Sequence, residues 1–289
     1  MQTVFEGIWV PIVTPFRNDT IDHATLSRLA RHLASAGISG IVVSATTGEG
    51  ALLDPAEQAA IMATLREAVP SLPLVPGIAE ADTRRAVARA RSLAALEPAG
   101  LLVTTPLYVR PSQDGIRAHF EAVSAADVPI LIYDIPYRTG VTLAFETLQR
   151  LARDERIAGI KACGASPDAM QRMVHETRLR VLCGDDASNF AALCAGAHGT
   201  IAASAHIRTD LHVRMWNLLR ENRLSEARRI AVALQPLIQA LFSAPNPAPL
   251  KALLAHQGFG DGSLRLPFLA PECEVLERLL RAHEGIDLH

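Results

Sequence analysis

The feature that most limits what this chain can fold into is an alternation of a short apolar run with a longer amphipathic one, repeated eight times. "IWVPIVT" (8–14) precedes "DHATLSRLARHLASAG" (22–37), and "GIVVSAT" (40–46) precedes "DPAEQAAIMATLREAV" (54–69). The series continues with "LPLVPGI" before "DTRRAVARARSLAALE", "GLLVTTP" before "SQDGIRAHFEAVSAA" and "PILIYDIP" before "LAFETLQRLARD". It ends with "IAGIKA" before "SPDAMQRMVHET", "LRVLCG" before "ASNFAALCAGA" and "GTIAAS" before "RTDLHVRMWNLLREN". Near-continuous apolar strands, each followed by a helix, predict a parallel sheet covered by helices. Eight uninterrupted units favour an α/β fold closed as a (β/α)8 TIM barrel over an open sheet. No GxGxxG follows the first strand, which argues against a dinucleotide fold.

After residue 224 the strand signal stops. "LSEARRIAVALQPLIQALF", "APLKALLAHQG" and "APECEVLERLLRAH" read as helices, separated by the proline-rich "SAPNPAPL" and "RLPFLAP". The expected organisation is therefore a (β/α)8 barrel domain over 1–224 and a C-terminal helical extension over 225–289. A formal net charge of −2, with no basic stripe, gives no footprint for nucleic acid. The N-terminal "MQTVFEGIWVPIVTPF" lacks the pattern of a signal peptide, and no apolar run approaches the roughly 20 residues of a membrane span. Cys163, Cys183, Cys194 and Cys273 have no metal-ligand spacing. The expectation is a cytoplasmic protein with free thiols and no bound metal.

In such a barrel, chemistry gathers at the C-terminal ends of the strands. The second strand ends in "SATTGEG", with Thr46 and Thr47, and the fourth in "TTPLYVRPS", with Tyr108 and Arg110. The fifth ends in "IYDIPYRTG", with Tyr133, Tyr137 and Arg138, and the seventh in "CGDDAS", with Asp185 and Asp186. A tyrosine here also reads as an amphipathic plug with its hydroxyl in water. Either aspartate also reads as a cap for the seventh helix. The sixth strand ends in Lys161.

Lysine is rare in this chain. Of 28 basic residues, only those at 161 and 251 are lysine. Lys251 falls in a helix-like segment and reads as structural. Lys161 occupies an inward-facing barrel position, where burial disfavours the ammonium and frees the amine lone pair. A neutral amine attacks a ketone to form a Schiff base, and arginine cannot do this. Making and breaking an imine needs proton traffic, for which Tyr133 on the neighbouring strand and the hydroxyls of Thr46 and Thr47 are available.

Taken together, "SATTGEG", "TTPLYVRPSQDG", "YDIPYRTG", "GIKACG" and "GDDAS" resemble the dihydrodipicolinate synthase and N-acetylneuraminate lyase family of class I aldolases, from Trp9 to about residue 267. The resemblance implies a Schiff base between Lys161 and pyruvate, with Tyr133 as proton donor and acceptor. It implies that Thr47 links Tyr133 to Tyr108, which crosses from a partner subunit, and that Thr46 and Thr47 bind the ketoacid carboxylate. It also implies a tetramer of tight dimers, or a homodimer. Arg138 in "YRTG" is similar to the arginine with which the synthases hold the carboxylate of aspartate semialdehyde, and a guanidinium fork suits that task. No cofactor is implied, because the lysine itself serves as electron sink.

The sequence also departs from the family pattern at Ala45, Leu107, Asp134, Ala162 and the turn Gly77-Ile78-Ala79. These departures leave the acceptor aldehyde open. The alternatives are a related pyruvate-dependent aldolase or dehydratase acting on a sugar-acid or hydroxy-ketoacid, and an inactive ketoacid sensor. In some synthases lysine feedback uses an interface pocket whose positions match Pro55, Gln58, Ala81 and Leu107 here, so insensitivity to lysine is expected.

Overall fold

The computed structural model describes residues 5–287. Residues 1–4, which open the expected leaderless N-terminus, and residues 288–289 lie outside the described residues. Eight parallel strands form a closed barrel: β1 (Gly7–Pro11), β2 (Gly40–Val43), β3 (Leu74–Ile78), β4 (Leu101–Thr104), β5 (Ile130–Asp134), β6 (Ile157–Ala162), β7 (Arg180–Cys183) and β8 (Gly199–Ile201). β1 closes the ring by pairing with both β8 and β2.

The covering helices are α1 (His23–Ser35), α2 (Pro55–Ala68), α3 (Thr83–Ala94), α4 (Gln113–Ser124), α5 (Phe145–Leu151), α6 (Pro167–Glu176), α7 (Asn189–Cys194) and α8 (Thr209–Arg220). Local chemistry sets their starts. Asp54 forms a capping box with Glu57 ahead of Pro55 at the first position of α2, a motif that satisfies two helix-end donors at once. Asp22, Asp82, Ser112 and Ser166 cap α1, α3, α4 and α6 with their side chains. The seventh helix differs from expectation: it begins only at Asn189, and neither Asp185 nor Asp186 caps it.

Two packing layers follow from the period of two along each strand. Outward residues such as Ile130, Ile132, Ile157 and Ile160 pack beneath the helices. Inward residues fill the lumen: Trp9, Val42, Val75, Leu102, Leu131, Leu182 and Ile201, with Tyr133 above them. Trp9 is fully buried, and Gly40 on the adjacent strand makes room for it, since a Cβ there would lie 2.2 Å from its ring.

Three further helices, α9 (Leu224–Leu241), α10 (Ala248–His256) and α11 (Cys273–Glu284), follow α8. α9 packs Ala227, Ile230, Leu234 and Ile238 against Leu211, Met215 and Leu218 of α8. Leu250, Leu253 and Leu254 of α10 and Leu279 of α11 join the core beneath α1 and α2. The loop between α9 and α10, residues 242–247, lies over the C-terminal mouth of the barrel.

Candidate active site

At that mouth lies a cleft of about 420 Å³, floored by Lys161 and Tyr133 and walled by Thr46, Thr47, Arg138, Asp186 and Asn246. The sheet register sets its centre. Tyr133 of β5 lies directly beside Lys161 of β6, and both point into the lumen. Lys161 is 4% exposed, and its Nζ lies 4.3 Å from the centroid of the Tyr133 ring. The glycine after β7 makes room for this side chain: a Cβ on Gly184 would come within 2.8 Å of Lys161 Cε and closer still to Cys163 Sγ.

Lys161 is pulled two ways. Burial, the largest influence, favours the neutral amine, whereas ionised Tyr133, ionised Cys163 and then Asp186 favour the ammonium and together raise the lysine above its ordinary value. Burial in turn raises Tyr133 and lifts the Cys163 thiol to about 12. The expectation that burial frees the amine is corrected: Tyr133, Cys163 and Asp186 outweigh burial, and the balance at Lys161 favours the ammonium.

The turn after β2 brings the threonines to the cleft, and it corrects their roles. Thr46 Oγ1 lies 3.4 Å from the Tyr133 hydroxyl. Thr47 Oγ1 instead accepts a hydrogen bond from Asn246 Nδ2 at 3.0 Å. The link to Tyr133 expected of Thr47 thus falls to Thr46. Ser44 and Glu49, on either side of the two threonines, both adopt left-handed backbone, φ 52° and 55°.

Arg138 sits on an exposed helical turn, Pro136–Thr139, at the rim of the cleft. Tyr108 is not brought to the cleft of its own chain; it is 91% exposed with φ 67°. Beside Thr46 and Arg138 lies a second cavity of about 320 Å³, lined by Ser44, Thr104, Leu107 and Phe268. The Ser44 and Thr104 hydroxyls are buried there without a hydrogen-bond partner among the described residues.

Sequence reasoning missed two residues of the cleft. Asp186 is buried and accepts a hydrogen bond from the Ser204 backbone at 2.6 Å, and burial raises its pKa. The "GDD" run was its signal, read there as a helix cap. Asn246 comes from the proline-rich 243–250 stretch, which carried no signal for chemistry.

The matching family model, described as the dihydrodipicolinate synthetase family, spans residues 4–283. The chain belongs to this family. A 4-hydroxy-tetrahydrodipicolinate synthase from Enterococcus faecalis is 34% identical over 94% of this chain and 96% of its own length. Among solved structures, the 4-hydroxy-tetrahydrodipicolinate synthase of Methylacidiphilum fumariolicum superposes with a TM-score of 0.94 at 32% identity, covering 98% of this chain and 96% of its own. The dihydrodipicolinate synthase of Acinetobacter baumannii, solved with pyruvate, gives 0.95 at 27% identity, covering 98% and 99%. The chain is an eight-stranded barrel, and none of its described helices is long and apolar enough to cross a membrane.

Proposed function

We propose that the protein is a Schiff-base lyase that condenses pyruvate with L-aspartate semialdehyde to give 4-hydroxy-tetrahydrodipicolinate. The observation that carries this reading is a buried lysine amine against a buried tyrosine at the floor of the cleft. Lys161 attacks the pyruvate carbonyl, and Tyr133 protonates the departing hydroxyl, so that water leaves and an imine forms. Removal of a methyl proton by the same tyrosine gives an enamine. The enamine carbon then attacks the aldehyde, and Tyr133 returns the proton to the new alkoxide. The acceptor's own amine displaces Lys161 by imine exchange and closes the ring, regenerating the free lysine.

In this scheme Thr46 bonds to Tyr133 and passes its proton on towards solvent, while Thr46 and Thr47 bind the pyruvate carboxylate. Arg138 holds the acceptor carboxylate at the rim. Tyr108 completes the relay of a second subunit. Its exposure, and the cavity with two unpartnered hydroxyls beside Thr46, support that reading. The assembly is then a dimer at least, and a dimer of dimers as a tetramer. We assign the enzyme to the cytoplasm, with 1–224 as catalytic barrel and 225–289 as extension. Steady-state assays with pyruvate and each acceptor class test the reading. Turnover with aspartate semialdehyde and none with sugar-derived aldehydes is the expected result, and the reverse would move the protein to a sugar-acid aldolase.

A further inference from the structure

The second lysine has no part in the chemistry above, yet its surroundings resemble those of the first. Lys251, on α10, is 3% exposed, and its Nζ lies 4.4 Å from the centroid of the Phe16 ring. It donates to Glu49 Oε1 at 2.6 Å and to the Thr14 carbonyl at 2.8 Å. Burial pulls its pKa down, and Glu49 opposes this. Glu49 is itself buried, and its other oxygen accepts from the Arg265 backbone at 3.0 Å.

Glu49 closes the turn that presents Thr46 and Thr47. That turn has little freedom of its own choosing. Thr14 Oγ1 donates to the Gly48 carbonyl at 2.7 Å, and a Cβ on Gly50 would lie 1.8 Å from the Ser44 carbonyl oxygen. Two left-handed non-glycine residues, Ser44 and Glu49, are held in it, and such backbone persists only where its surroundings over-determine it. Two of the contacts that do so come from the extension, roughly 200 residues away in sequence: Lys251 on Glu49 and Asn246 on Thr47.

We propose that Lys251 and Asn246 are positioning residues for the Schiff-base site. Lys251 fixes the backbone of the 44–50 turn through Glu49. Asn246 donates to the Thr47 hydroxyl, leaving its proton and its remaining lone pair directed by that bond. A compact ammonium suits the first task, because three donors must meet a carboxylate and a carbonyl above an aromatic face. On this account the extension is part of the catalytic apparatus rather than a wall around it. The inference rests on the Schiff-base reading above.

Two variants of the full chain test it. Asn246→Ala removes one hydrogen bond and no buried charge. The paired Glu49→Gln/Lys251→Met removes both charges, so no lone ion is left in the core. Each is assayed for melting temperature, for kcat and KM, and for the rate at which pyruvate plus borohydride labels Lys161. Asn246→Ala should melt with the wild type and raise the pyruvate KM about ten-fold with kcat within about three-fold, as expected for one lost hydrogen bond to a binding group. The paired variant should remain folded and lose at least about ten-fold in kcat and in labelling rate, since Thr46 would no longer be held on Tyr133. Folded variants with wild-type KM, kcat and labelling rate would overturn the inference, as would an Asn246→Ala protein altered in melting temperature alone. If the wild type itself is not labelled, the Schiff-base reading fails instead, so the two failures are distinguishable.

Discussion

Asp134 offers a prediction whose sign and size follow from its surroundings. It succeeds Tyr133 on β5, so its side chain points out of the barrel, away from the chemistry. There it meets a cleft of about 490 Å³ walled by Leu143, Phe145, Leu148, Ile160 and Met173. It is 6% exposed, and among the described residues its carboxylate accepts one hydrogen bond, from the Leu143 backbone at 3.4 Å. Burial raises its pKa from 3.8 to about 6, partly offset by the Leu143 bond. A carboxyl whose pKa is higher folded than unfolded destabilises the fold above the folded value. The penalty shrinks as the pH falls and is gone below about pH 4, where both states are protonated. A gap of about two pH units at roughly 1.4 kcal/mol each is about 3 kcal/mol.

Asp134→Asn keeps the acceptor for Leu143 and removes the charge. At pH 8 it should therefore be about 3 kcal/mol more stable than wild type, or about 5 °C in Tm for a chain of this length. At pH 4 the two proteins should melt together. Thermal melts of both across pH 4–8, at one protein concentration, provide the assay. Every other titrating group is common to the two proteins and cancels in the difference. A Tm difference that does not change with pH, or a less stable variant at pH 8, would refute the reasoning.

The remaining predictions concern the site. Tyr133→Phe should lower kcat by roughly 10²- to 10⁴-fold, the range for losing a general acid–base, with the fold intact by circular dichroism. Arg138→Ala should raise the KM for the acceptor about 10- to 100-fold and leave that for pyruvate unchanged, as expected for a charged hydrogen bond lost at the rim; Arg138→Lys should not restore it, because an ammonium lacks the fork. Lysine should not inhibit: Leu107 and Ala81 offer no polar contact, and Gln58 is turned inward to the Gly77 carbonyl at 2.9 Å. An inhibition curve flat to millimolar lysine is the expected result, and strong partial inhibition would contradict it.

The barrel was legible because its repeat unit is short and its signal local: an apolar strand, a capped helix and a turn, eight times. Asp54 and Pro55 marked the start of α2 from sequence alone. Strand ends were less legible. "GTIAAS" read as one strand through Ser204, but pairing ends at Ile201 and the chain turns into a 3₁₀ segment, Ser204–His206. The two-residue ribbon at 16–17 and 20–21 was too short to leave a period.

At the site, strand alternation was enough to place Lys161 and Tyr133 on the inner face. It was not enough for Thr46 and Thr47. They lie beyond the last paired residue of β2, where backbone torsions rather than alternation decide orientation, and the link to Tyr133 went to the wrong threonine. Lys251 read as structural because its partner lies 202 residues earlier, and no local pattern predicts a contact closed by tertiary packing.

The proposed chemistry stands or falls with an imine between Lys161 and a ketoacid. The most direct measurement is to incubate the protein with pyruvate, reduce with borohydride, and weigh the intact chain and its peptides. A single reduced pyruvate adduct, on the peptide carrying Lys161 and absent from Lys161→Arg, is the predicted result. A folded wild-type protein that gains no adduct, or gains it at Lys251, would contradict the account and leave a barrel that binds a ketoacid without turning it over.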